Sequence, residues 1–276
     1  MSTESSSKNF SLLDKQVARE VLLLDLFACC RAYAQYPLPD IKDPKFIEDC
    51  VSAHNNFRSK TNPPASNMFR MTWDPDLAKT AKAWAKRCQF KHNTYLREPG
   101  QTHPRFTSVG ENIWTGSLSL FSVNRAIISW YNEVKDYSYT ANSCRRVCGH
   151  YTQIVWARSY KVGCAVHFCP TVQYFSGTNA AHFICNYGPA GNYGWHPYET
   201  GAACSKCKGD QCANNLCRNP ERDKVISDSK WYPAWDRPAC DEYCISVVVL
   251  RLLFFILTIP AAWILPKYWS IAPASE

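Results

Sequence analysis

The sequence lacks the short motifs that identify several large enzyme classes. It has no G-x-S-x-G nucleophile turn, no H-E-x-x-H zinc-protease motif and no phosphate-binding glycine loop. It also has no internal repeat and no block of five or more like charges, so the net charge of +8 is spread along the chain. This distribution predicts a mildly basic surface and argues against a charged tail for nucleic acid.

Cysteine, by contrast, is abundant. Thirteen of the fifteen cysteines lie between Cys50 and Cys244. This usage far exceeds that of a typical cytosolic enzyme and indicates an oxidising compartment with a disulfide framework, although metal binding is the alternative.

Four closely spaced cysteines, C-x2-C-x4-C-x4-C over residues 204–217, are the part of the chain where metal binding is the most specific alternative to disulfides. Four thiolates at this spacing could hold a zinc ion, as in a nucleic-acid-binding zinc knuckle. An oxidising compartment favours a knot of two disulfides instead. Because the predicted membrane topology places this region outside the cytosol and the sequence has no basic patch near the knot, we expect no nucleic-acid partner.

A hydrophobic run near the C-terminus predicts a membrane anchor. Residues 245–265 contain one charge, Arg251, near one end, and are long enough to cross a bilayer as a helix. A buried soluble helix fits less well because Pro260 would break it. At the N-terminus, residues 1–36 resemble an imperfect signal peptide whose apolar centre is interrupted by Asp25.

Three amphipathic helices are predicted. Two begin at Asp43-Pro44 and Asp74-Pro75, where aspartate is a good N-cap and proline is tolerated in the first turn. The third, over residues 122–137, places Glu133 at the margin of its apolar stripe. The stretches "TSVGENIWTG", "VGCAVHFC" and "AHFICNYG" have strand patterns. Helices before and between strands predict an α+β sandwich.

The candidate site residues are two histidines and two acids: His92, Glu111, Glu133 and His150. Two imidazoles with two carboxylates can bind a divalent metal or exchange protons. The two histidines are 58 residues apart, so only folding can bring them together. From the pattern alone, ordinary hydrogen-bonded core or surface residues are the simpler interpretation.

Longer motifs in the sequence favour a functional site over ordinary core or surface residues. "GHYTQIVWARS" and "HFICNYGPAGNY" resemble the two signatures of the CAP superfamily of cysteine-rich secretory, antigen 5 and pathogenesis-related type 1 proteins. "AHNNFR", "FKHN", "GENIW" and "WYNEVKDY" follow the order found in that family, so the resemblance covers residues 40–217. It implies a three-layer α-β-α sandwich with a wide central cleft.

The resemblance also implies roles for the four candidate residues. His92 and His150 would bind zinc or another divalent cation, and Glu111 and Glu133 would lie beside them in the cleft. The cleft would serve to bind a sterol, a fatty acid or a protein partner. The alternative is a metal-assisted, protease-like hydrolase in which Glu111 or Glu133 activates a bound water.

The disulfide pairing expected from the resemblance joins eight cysteines. The pairs are Cys88 with Cys169, Cys164 with Cys185, Cys204 with Cys212, and Cys207 with Cys217. Cys50 would then pair with Cys144 or Cys148.

The chain would thus be a single-pass membrane protein with its CAP domain outside the cell or in the secretory lumen. Its predicted parts are a leader (1–36), a CAP domain (40–195), a cysteine-rich hinge (196–219), a stalk (220–244), a transmembrane helix (245–265) and a short tail (266–276).

Overall fold

The computed structural model describes residues 38–236 and 242–269, with side chains described for 38–236 and 244–259. The predicted leader at 1–36 and the end of the predicted tail lie outside the described residues.

Both helices predicted from an Asp-Pro start are confirmed. Helix α1 spans Pro44–Arg58, and the Asp43 carboxylate accepts hydrogen bonds from the first turn. Helix α2 spans Pro75–Ala85, and Asp74 caps it in the same way.

The third predicted helix is shorter than expected. Helix α3 ends at Tyr131, and Glu133 lies in the 3₁₀ turn that follows it. The remaining bounds are α3 Val123–Tyr131, the 3₁₀ turn Asn132–Asp136, α4 Gly149–Ile154, α5 Pro220–Asp223 and α6 Glu242–Trp269.

Four strands form the central sheet in the order β1-β5-β6-β2. Strand β1 is parallel to β5, and the other neighbours are antiparallel. The central strands are β1 Thr72–Trp73, β2 Gly110–Ser117, β5 Lys161–Thr171 and β6 Thr178–Gly188. Two small hairpins lie outside it, one of β3 Tyr137–Ser138 and β4 Ser143–Cys144, the other of β7 Gln211–Ala213 and β8 Leu216–Arg218.

Helices cover both faces of the sheet. Because side chains alternate along a strand, Ile184 of β6 packs with Trp84 of α2, whereas its neighbour Phe183 packs with Phe46 of α1 and Trp130 of α3. The fold is therefore an α+β sandwich with helical layers on each side of the sheet, as the sequence predicted.

The four disulfides implied by the resemblance are present: Cys88–Cys169, Cys164–Cys185, Cys204–Cys212 and Cys207–Cys217.

The expected partner of Cys50 is wrong. Cys144 pairs with Cys148, and Cys50 is a free, buried thiol. The physical reason is position, since Cys50 points from α1 into the hydrophobic core while Cys144 is exposed on a small hairpin. Burial raises the pKa of the Cys50 thiol well above its ordinary value.

The first part of the predicted stalk (220–244) packs against the domain instead of extending freely from it. Residues 224–236, called the strap from here on, lie against the sandwich. The ammonium group of Lys79 on α2 donates to the carbonyl of Asp228 at 2.6 Å, and the indole of Trp235 donates to the carbonyl of Gln101 at 3.1 Å.

The predicted membrane span is not confirmed. In the part of the chain that the structure describes, no helix combines the length and apolar character that crossing a membrane requires. The predicted span 245–265 extends past residue 259, where the described side chains end.

Candidate metal and ligand cleft

The first histidine–carboxylate pair joins His92 to Glu111. The Nδ1 atom of His92 lies 2.9 Å from Oε1 of Glu111, and the backbone N–H of Asn93 donates to the same oxygen at 2.9 Å. The amide of Asn186 on β6 donates to the other carboxylate oxygen at 3.4 Å. Glu111 is buried near the start of β2, whereas His92 is largely exposed. The pair therefore presents a fixed imidazole to solvent.

The second pair joins His150 to Glu133. The Nδ1 atom of His150 lies 2.6 Å from Oε1 of Glu133. The other carboxylate oxygen accepts the backbone N–H groups of His150 and Tyr151 at 2.9 and 3.3 Å. Glu133 thus caps the N-terminus of α4 and holds the imidazole, consistent with the favourable position of an anion at a helix N-terminus. The ring of Trp130 lies nearly parallel to that of His150, with centroids 6.1 Å apart.

Edge strand β2 separates the two pairs. Glu111 and Asn112 are consecutive, so their side chains point to opposite faces of the sheet. Glu111 holds His92 on one side, and on the other the amide of Asn112 donates to the carbonyl of His150 at 3.0 Å. The strand that begins at "GEN" therefore positions both pairs.

A cleft of about 710 Å³ opens beside this edge. Its lining includes His92, Glu111 and Asn192, but neither His150 nor Glu133. Asn192 connects the cleft to α4, because its side-chain amide donates to the carbonyl of Gly149 at 2.8 Å. The cleft is thus lined by two of the four residues expected in it, His92 and Glu111, whereas His150 and Glu133 lie outside its lining.

The two histidines have the hydrogen-bonding pattern of metal ligands. In each, Nδ1 faces a carboxylate, which fixes the tautomer and leaves Nε2 as the nitrogen for a ligand. The hydrogen bond to Glu111 raises the pKa of His92, with burial opposing the shift. Since a metal binds neutral imidazole, any metal here competes with a proton.

A different group of potential ligands escaped the sequence analysis. Asp74, Asp76 and His103 are buried, and in the described part of the chain they are the one group of three such residues whose donor atoms all lie within 4.8 Å of one another. Only the N-cap pattern of Asp74 is visible in the sequence.

Protein groups already engage most of these donor atoms. One oxygen of Asp74 accepts the helix N–H groups and lies 3.3 Å from Nε2 of His103, and Nδ1 of His103 accepts the backbone N–H of Phe106 at 3.0 Å. Asp76 binds Lys79 and the backbone N–H of Asp228. The group is therefore built to fasten the start of α2 to its surroundings.

Comparison with known proteins identifies the family. Residues 51–187 match the CAP family, described as the cysteine-rich secretory protein family. Glioma pathogenesis-related protein 1 of Mus musculus is 53% identical over 237 residues, which cover 84% of this chain and 88% of that protein. The chain belongs to the CAP family. GLIPR1-like protein 1 of Bos taurus is 48% identical over 80% of this chain and 89% of its own length.

The fold of this CAP protein also resembles solved structures. The structure of BmVAL-1 matches with a TM-score of 0.51 and 27% identity, covering 64% of this chain and 95% of that one. The family resemblance inferred from the two signature stretches is thereby confirmed. All four candidate residues lie within the matched range 51–187.

Proposed function

We propose that this chain presents its CAP domain outside the cell or in the secretory lumen, as a binding module for a lipid, sterol or protein ligand. Its divalent-metal site would use His92 and His150. The observation that supports this most directly is the presence of two carboxylate-oriented imidazoles, one on either side of β2, of which His92 lines the cleft.

The chemistry of the two imidazoles fits a zinc-class cation. A bound divalent cation would supply a Lewis acid with positions open to a ligand, because two histidines leave the usual four-coordinate shell incomplete. Glu111 and Glu133 would act behind the ligands by orienting them, and Asn112 would keep α4 at its place beside the sheet edge.

The carboxylates favour binding over hydrolysis. Each accepts two backbone or side-chain N–H groups besides its histidine, so its oxygens are already committed to hydrogen bonds. A general base needs a free oxygen within reach of the attacking water. The alternative function, a metal-assisted hydrolase using Glu111 or Glu133, would require one of these networks to open.

The C-terminal helix would tether the domain to a membrane. Support comes from the sequence run 245–265 and from the exposure of its large apolar side chains, such as Leu250, Phe254 and Leu257. The five disulfides found between residues 88 and 217 fit an oxidising, extracytoplasmic side for the domain. Release of the chain from vesicles by carbonate washing would contradict the tether, whereas release by detergent alone would support it.

Metal binding is tested by calorimetric titration of the full chain, in mild detergent, with Zn²⁺. The variants are His92→Ala and His150→Ala, and His196→Ala is the matched control because that histidine is exposed and outside the cleft. We expect the wild type and the control to bind zinc, and the His92→Ala and His150→Ala variants to bind it more weakly. No zinc binding by the wild type, or equal loss in the control, would contradict the metal site.

The same preparations distinguish the two functions. Binding of cholesterol, palmitic acid or a partner protein without turnover of peptide or ester substrates supports the binding module. Turnover that is abolished in the Glu111→Gln variant would establish the hydrolase instead.

A further inference from the structure

A second cavity is separate from the cleft that contains His92. It has a volume of about 550 Å³ and is lined mainly by residues of α1 and of the β7–β8 hairpin, with Val51, Ala213 and Leu216 as its apolar part. It shares no lining residue with the cleft that contains His92. We call it the hinge groove, because the hairpin belongs to the cysteine-rich hinge.

Positive charge dominates the hinge groove. Lys60, Arg70 and Arg218 line it, and no aspartate or glutamate does. Within residues 38–236 none of these three side chains forms an ion pair, whereas the buried or half-buried side chains of Lys79 and Arg222 do so, and those of Arg58 and Lys161 donate to carbonyls. A concave surface with three uncompensated cations concentrates positive potential and attracts anions.

The cations are held at the groove by neighbouring structure. The ammonium group of Lys60 donates to the side-chain oxygen of Asn56 at 2.6 Å, a contact that leaves its charge uncompensated. The backbone N–H of Arg70 donates to the carbonyl of Cys217 at 2.9 Å, next to the disulfide from Cys207. Arg70 itself is half-buried, and its guanidinium makes no hydrogen bond with any residue the structure describes. Arginine forks of this kind bind tetrahedral oxyanions bidentately.

Neutral polar groups complete the lining. Ser52, Ser59 and Asn214 add hydroxyl and amide groups to the lining. Hydroxyls and amides of this kind recognise the hydroxyl groups of a sugar, and the volume is within the range of small-ligand sites.

We propose that the hinge groove binds a sugar unit that carries sulfate or phosphate esters. Arg70 and Arg218 hold the ester oxyanion, and Lys60 adds charge at the rim. This binding is independent of the His92 cleft and of any metal.

The test uses the full chain in mild detergent, titrated with a sulfated disaccharide, a sugar phosphate and the unsubstituted disaccharide. We expect binding of a charged ester and none of the unsubstituted sugar. Comparison of the sulfated and phosphorylated probes shows which ester the groove prefers. The double variant Arg70→Gln and Arg218→Gln should weaken binding by about tenfold or more, because it removes two charge-assisted contacts.

The matched control changes Lys42 and Arg146 to glutamine, which removes the same charge from two exposed side chains outside the groove. Equal weakening in this control would reduce the effect to overall charge and overturn the proposal. So would undiminished binding by the groove variant, or no binding of either ester by the wild type. If the double variant fails to fold, Arg218→Gln alone and Asn214→Asp, both at exposed positions, test the same site.

Discussion

Arg58, the last residue of α1, donates a hydrogen bond of 2.8 Å to the carbonyl of Ile154, the last residue of the helix that carries His150. The same guanidinium donates to the carbonyls of Phe69, Trp156 and Ala157, and its side chain is buried. A cation at this position satisfies carbonyls that the end of α4 leaves without helical partners. Arg58 therefore fixes α4, and with it the backbone of the second histidine–carboxylate pair.

Replacing Arg58 with lysine should destabilise the fold. Burial lowers the pKa of Arg58 to about 9, so the environment already disfavours its charge, and only the carbonyl contacts offset that cost. The single ammonium group of a lysine cannot donate to all the carbonyls that the forked guanidinium reaches. We therefore expect the unfolding free energy to fall by about 2–4 kcal/mol. Denaturant unfolding with disulfides intact measures it, and Arg146→Lys, at an exposed position, should change stability by less than about 0.5 kcal/mol. Equal stability of both variants would show that the contacts to α4 are dispensable.

The two glutamates should control zinc affinity without binding zinc themselves. In Glu111→Gln or Glu133→Gln, the neutral amide can no longer hold the imidazole N–H as strongly. We expect zinc affinity to fall by about 10–100-fold, the usual effect of losing such a partner. Glu98→Gln is the control, because Glu98 is exposed and outside the cleft lining. Zinc affinity unchanged in both glutamate variants would mean that the carboxylates do not orient the metal ligands.

Two buried histidines should make the domain sensitive to acid. Burial lowers the pKa of His54 and of His182 to about 4. His54 donates through Nδ1 to the carbonyl of Cys50 at 2.7 Å, and its Nε2 lies 2.9 Å from the hydroxyl of Tyr187, which suits a neutral ring.

The unfolding free energy should decrease as the pH falls, because the unfolded chain binds more protons than the folded one. Below the unfolded-state pKa of about 6.5, each histidine binds a proton in the unfolded chain but stays neutral in the folded one. The free energy of unfolding therefore decreases as the pH falls from about 6.5 to about 4. Each histidine contributes up to about 1.4 kcal/mol per pH unit over that window. Unfolding free energy measured between pH 7.5 and 4 should decline less steeply for His182→Asn than for the wild type. Identical slopes would exclude His182 as an acid-sensitive group.

Local signals in the sequence predicted much of the sandwich. The Asp-Pro starts of α1 and α2 were decisive because capping and proline chemistry act within one turn, and the apolar runs of β5 and β6 identify buried strands. Helix α4 was not predicted, because six residues are too few to establish a helical period. Glu133 was expected on a helix margin, yet it works from a 3₁₀ turn, where it can reach the start of α4.

Long-range partners account for what the sequence did not predict. Family resemblance singled out both histidines and both acids, but not the pairing of each histidine with one particular acid. It also implied a partner for Cys50, which the core buries without one. The charged, proline-containing composition of the strap suggested a stalk, because composition does not reveal that Lys79 of α2 binds two of its backbone carbonyls.

Trp235 should be the residue that keeps the strap on the sandwich. Its ring stacks on Tyr95 with centroids 5.4 Å apart and meets Trp84 edge-on at 5.8 Å, while the guanidinium of Arg87 lies 5.3 Å from its centroid. Aromatic stacking and cation–π contacts each contribute about 0.5–1.5 kcal/mol beyond apolar burial. Trp235→Ala removes them together with the indole hydrogen bond to Gln101.

Amide hydrogen exchange measures whether the strap is released in the Trp235→Ala variant. In the wild type, the backbone N–H of Asp228 bonds to Asp76, and that of Trp231 bonds to the carbonyl of Asp228, both at 3.1 Å. We expect these strap amides to exchange faster in Trp235→Ala while the amides of β5 and β6 keep their protection, because the strap is released without unfolding the sheet. Trp195→Ala, which removes an exposed tryptophan outside the strap, should leave strap exchange unchanged. Unaltered strap protection in Trp235→Ala would instead assign the docking to the backbone contacts with Lys79 and Asp76.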